Sequence, residues 1–151
     1  MFSDQQRYDT LAAYGNDWIQ APNLNKLAER SMVFQRAYVT QPVCTPARAS
    51  ILTGLYPHTA GPIVNHIPLP ADTKTFAEYL PDEHETAWFG KWHLGDDTVK
   101  QHGWKHWISS EDGHQAGYSS DDLPLSDYHR YMESRGYTPE GTAPDGRAIF
   151  T

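Results

Sequence analysis

The chain of 151 residues has a single cysteine, Cys44, so no disulfide can form within it and that thiol is left for other chemistry. It has no apolar run long enough to span a bilayer, and nothing ahead of Asp4 has the apolar centre of a leader segment. Positive charge is scarce: 12 Lys and Arg stand against 19 Asp and Glu, a formal net charge of -7. Without a basic run, neither nucleic acid nor an anionic membrane surface is a suitable partner. An anionic ligand has to be caught by a local group of cations. No segment repeats, and no Pro- or Gly-rich stretch is long enough to link two folded units, so one domain over residues 1–151 is expected. Polar-tipped aromatics are plentiful, with 5 Trp and 9 Tyr, and they suit partly exposed pockets.

The most informative stretch runs from Val43 to Gly54 and contains the lone thiol. Thr45 is expected as a helix N-cap and Pro46 as the first helical residue, where its missing N–H costs nothing. Ile51 and Leu52 give the helix an apolar side, and Gly54 can close it in a left-handed conformation. Cys44 then stands at the positive end of a helix dipole with Arg48 one turn on, a place that attracts anions.

These residues carry a resemblance. Cys44-x-Pro46-x-Arg48, followed by small residues, Ile51-Leu52 and Thr53-Gly54, is similar to the signature of the type I sulfatases, and every position from Pro42 to Gly54 fits it. The resemblance implies that Cys44 is oxidised to formylglycine by a dedicated maturation enzyme. One oxygen of the aldehyde hydrate then attacks the sulfur of a sulfate ester, and the other expels sulfate. It also implies a divalent cation, calcium or another, held by Asp4, Gln5 and the modified Cys44. Oxygen donors suit such an ion. By residue type alone, Ser3 to Asp9 reads as a terminal loop, whereas the family has a buried strand there, of which Phe2 and Ser3 would be the remnant.

A second stretch, Thr86 to Gly95, reads as a buried strand followed by a turn carrying Lys91 and His93. In the sulfatases a Gly-Lys-x-His loop contacts the sulfate oxygens and the formylglycine. On an extended backbone, residues two apart point the same way, so Lys91 and His93 can converge on one anion. The resemblance makes Arg48 the group that orients the hydrate, Lys91 the one that steadies charge on the sulfuryl group, and His93 a partner for the nucleophile's proton. The family opens this strand with Gly-Tyr; here Glu83-His84 stand in those positions.

Elsewhere, Tyr14 to Asp17 reads as a turn, and Asn23 as the cap of a short helix with Leu24, Leu27 and Ala28 inward. Met32 to Val39 reads as a strand, and Thr73 to Leu80 as a helix with Phe76, Ala77 and Leu80 on one side. Asn65 to Pro70 reads as an extended loop, and His58 as a surface residue. The histidines between His84 and His106 follow no zinc-ligand spacing. Asp112-Gly113 and Gly117-Tyr118 read as turns, Ser126 to Gly136 as a last helix, and Thr138 to Asp145 as loop.

The expected class is α/β, the N-terminal part of an alkaline-phosphatase-like sandwich with a central mixed sheet flanked by helices. Family members run to several hundred residues, and their second pair of metal ligands comes from a later strand. Residues 1–151 therefore read as a partial sulfatase domain ending before that pair, with little activity expected of it alone. The substrate implied is a sulfated small molecule or sulfated carbohydrate. The alternative within the superfamily is a phosphodiesterase or phosphonate monoester hydrolase, and outside it a catalytically inactive product. With no leader the chain as it stands reads as cytoplasmic, whereas a full-length parent would be compatible with the periplasm or secretion.

Overall fold

In a computed structural model, residues 1–112, 124–142 and 148–150 are described. The Gly117-Tyr118 turn, and the part of the Thr138–Asp145 loop beyond residue 142, lie outside them. The chain forms two compact units, Met1–Tyr38 and Val39–Thr151.

The first unit contains two 3-10 turns, Tyr8–Thr10 and Ala12–Tyr14, and helix α1, Pro22–Glu29. The second turn ends on Gly15 with φ of 92°, the turn expected from its composition. Asn23 does not cap α1. The N-cap is Ala21, and Pro22 takes the first helical position, where its fixed φ is already helical. Neither Phe2–Ser3 nor Met32–Val39 forms a strand. Met32, Phe34, Tyr38 and Val39 are exposed with no strand beside them, and β-formers need a pleated, half-buried neighbour to express their preference.

The second unit opens with α2, Cys44–Thr53, followed by the single-turn α3, Pro57–Ala60, which lies beside it. The helix starts earlier than Thr45 and Pro46 led us to expect. Val43 is the N-cap, so Cys44 is the first helical residue and Pro46 the third. Proline is still accommodated, because the first intrahelical bond is made by Ala47, whose N–H donates to the Val43 carbonyl at 3.0 Å. Gly54 closes α2 with φ of 72°, as expected. Leu52 is buried and Ile51 exposed, so the apolar side is narrower than the sequence implied.

Thr73 to Leu80 shortens to a 3-10 turn, Phe76–Tyr79, held by a capping box between Thr75 and Glu78. Of its apolar residues only Ala77 is buried. Strands β1, Ala87–Gly90, and β2, His106–Ser109, pair in parallel, with Trp88 opposite Trp107. Alternation turns Trp88 and Trp107 inward and leaves Phe89 and Ile108 outward. Trp88, Trp92, Trp104 and Trp107 form one aromatic cluster, with ring centroids 5.2 Å apart for Trp88–Trp92, Trp88–Trp104 and Trp92–Trp107. Ala49 and Leu52 of α2 bring that helix into the same core. Helix α4, Asp127–Ser134, is capped by the Ser126 hydroxyl, and β3, Gly141–Thr142, pairs antiparallel with β4, Ala148–Ile149.

Candidate active site

The core places two loops against the start of α2. The Thr45 N–H donates to Asn65 Oδ1 at 3.0 Å, which satisfies one of the donors that a helix start leaves unpaired. The Thr45 hydroxyl donates to the His93 carbonyl at 3.0 Å. One turn on, the buried Arg48 guanidinium donates from Nη1 to the Lys91 carbonyl at 2.7 Å. Cys44 itself is half-buried and free of any disulfide. Two bonds from the cysteine helix thus grip the backbone of the Lys91–His93 loop.

Lys91 and His93 do not lie on extended backbone as expected, because β1 ends at Gly90 and His93 has φ of 56°. Asp97 shapes the loop instead. One of its carboxylate oxygens accepts both the Trp92 N–H at 2.9 Å and the His93 N–H at 2.8 Å, and its carbonyl accepts the Trp107 indole N–H at 2.9 Å. Burial lifts the Asp97 carboxyl to about 6, although those two backbone donors favour its charged form.

Lys91 Nζ lies 3.5 Å from Glu111 Oε1, with both side chains mostly shielded from water. The His93 ring is pushed below the usual imidazole range, first by burial and then by Lys91, with Arg48 and His66 adding to the push and Glu111 opposing it. His93 is therefore neutral near pH 7, and its Nδ1 is buried with no hydrogen-bond partner among the described residues. Its ring meets the His66 ring edge to face at 6.1 Å. Arg48, Lys91 and His93, predicted as a group, are brought together with Thr45, the neighbour of Cys44. His58 is exposed and stacks on Tyr56.

Four residues of this neighbourhood escaped the sequence reading: Asn65, His66, Asp97 and Glu111. The Asp96-Asp97 pair just past the loop was the one available signal, since an acidic pair beside a buried strand needs donors. Asn65 and Glu111 reach the site from segments with no local pattern.

Asp4 and Gln5 belong to the exposed start of the first unit, where Gln5 has φ of 55°. Their carboxylate and amide oxygens are the right donors for a hard cation. Their number is not sufficient, because calcium takes about six to eight oxygens. Among the described residues no group of three or more His, Cys, Asp or Glu could hold a metal ion.

A helix mouth bearing the thiol, gripped to a Lys-x-His loop on a parallel α/β core, fits an incomplete fold of the alkaline-phosphatase-like class. The Sulfatase family model matches residues 1–141, and the chain belongs to that family. It is 35% identical over 122 residues to an ulvan-active sulfatase of Formosa agariphila, covering 76% of this chain and 24% of that protein. It is 31% identical over 118 residues to an N-acetylglucosamine-6-O-sulfatase of Bacteroides thetaiotaomicron, covering 78% and 21%. A protein solved in complex with its substrate D-glucosamine-2-N,6-O-disulfate superposes with a TM-score of 0.59 at 33% identity, covering 66% of this chain and 20% of that one. The chain thus spans less than a quarter of the length of each of these relatives. No described helix is long and apolar enough to cross a membrane.

Proposed function

We propose that this chain supplies the nucleophile and the sulfate-holding loop of a sulfuric ester hydrolase, with Cys44 as the residue converted to formylglycine. One observation carries the reading: the Thr45–His93 and Arg48–Lys91 bonds fasten the cysteine helix to the Lys-x-His loop at 3.0 and 2.7 Å. Formylglycine, once made, supplies as its hydrate one oxygen to attack sulfur and a second whose deprotonation releases sulfate. The remaining work falls to the chain's own residues. The α2 dipole favours negative charge at Cys44, and Lys91 balances charge on the sulfuryl oxygens. Arg48, held beneath the loop, adds a second positive charge close by. His93 is kept neutral by burial and by those cations, so it can take a proton at neutral pH.

A sulfated carbohydrate is the substrate class we favour. The support is that one relative is named an N-acetylglucosamine-6-O-sulfatase and that a similar solved structure holds a doubly sulfated glucosamine as its substrate. Asp4 and Gln5 offer oxygen donors to a divalent cation, short of the number it needs. Co-expression with a formylglycine-generating enzyme, followed by mass spectrometry of the Cys44 peptide, tests the central step. The expected result is an aldehyde with loss of sulfur, and lower conversion in Pro46→Ala and Arg48→Ala chains. Recovery of free thiol alone would overturn the catalytic reading.

A further inference from the structure

We propose that Glu111 is a stand-in for the substrate's sulfate: it holds the Lys91 ammonium while the site is empty, yields it to an arriving oxyanion, and takes it back as inorganic sulfate leaves. The inference rests on the reading that Lys91 receives a sulfate oxygen.

Three observations carry it. Lys91 Nζ and Glu111 Oε1 are 3.5 Å apart, and their side chains are only 16% and 18% exposed. A cation so shielded is costly without a counter-charge, and water screens this pair less than a surface pair. The separation also exceeds the roughly 2.7–2.9 Å of a tight charge-assisted hydrogen bond, so this pair is a loose one. Third, Glu111 acts on the whole loop, since its charge is felt at both His93 and Asp97. Among the described residues, the charged and titratable groups that act on the His93 ring are Lys91, Glu111, Arg48 from α2 and His66.

A carboxylate in an anion site works against affinity. What it gains is release. Inorganic sulfate is a dianion and its ester a monoanion, so a site of cations alone would hold the product harder than the substrate. A fixed negative charge weakens both, and the dianion more.

The test titrates sodium sulfate, then methyl sulfate, into the 151-residue chain and its Glu111→Gln form at one pH and ionic strength, following the Lys91 and His93 signals by NMR. Glu111→Gln should bind sulfate about tenfold more tightly and methyl sulfate only about threefold. Glu111→Ala should move in the same direction, which separates charge from side-chain fit. Equal or weaker sulfate binding in the Gln form, with the amide spectrum intact away from the loop, would overturn the proposal. Lys91→Ala tests the reading beneath it. If that variant binds sulfate as well as the parent, Lys91 is not the anion's partner and the site assignment itself falls. No binding in any form overturns both.

Discussion

Both units of this chain carry family features, and they are held together very differently. In Met1–Tyr38 no residue is buried, and its long-range ties include Asn25 Oδ1 accepting the Ala12 N–H and the Tyr14 hydroxyl donating to the Phe34 carbonyl. Val39–Thr151 contains the whole apolar core, from Ala49 and Leu52 through Trp92, Leu94 and Trp104. A sequence motif therefore says where chemistry belongs without saying what stabilises it. The Lys-x-His loop has a core beneath it, since Trp92 sits between the two site residues and is fully buried. The largest effect should come from removing that ring. Trp92→Ala is expected to cost about 3–5 kcal/mol by denaturant unfolding and to release Lys91 and His93 together. A cost near that of a surface substitution would mean that the aromatic cluster does not organise the site.

The second way to sharpen the contrast uses a buried charge that only the second unit has. Asp97 carries a carboxyl lifted from 3.8 to about 6, mainly by burial, with Glu111 adding to the lift and Lys91 and the two backbone donors opposing it. The folded state holds that proton over a pH range where the unfolded chain has lost it. Its stabilising contribution is thus complete below about pH 3.8 and lost as pH rises through about 6. The loss is of the order of 1–3 kcal/mol, since each pKa unit is worth about 1.4. Asp97→Asn keeps an oxygen for the Trp92 and His93 N–H groups and removes the titration. Urea unfolding from pH 4 to 8 should show wild type losing stability relative to the variant across that window. Parallel profiles would exclude Asp97 as the source.

What the sequence made legible follows the same division between motif and support. Cys44, Arg48, Lys91 and His93 could be named because a family resemblance rests on two local motifs, and β1 and α4 because their patterns are local. The parallel pairing of β1 with β2 was not expected, because it joins residues about twenty apart in sequence, and Trp104 and Trp107 enter the core from a segment with no clear strand pattern. The left-handed backbone at His93 could not be foreseen, because it depends on Asp97 accepting two consecutive amides. Met32 to Val39 misled for the opposite reason: the residues are good β-formers, and no partner strand is there to receive them.

The smallest expected effect lies in the first unit. Leu24 is half-buried on α1, where the apolar face meets few partners, and Leu27 is exposed. Leu24→Ala should therefore cost less than about 1 kcal/mol. Hydrogen exchange reads the same difference without mutation. Amides of Asn25–Glu29 in α1 should exchange through local opening well before those of Ala87–Gly90 and His106–Ser109, whose bonds open only when the aromatic cluster comes apart. If α1 proved as protected as β1, something outside its own packing would have to be covering it. Asp4 and Gln5 would then have a firmer support than the first unit's own packing provides.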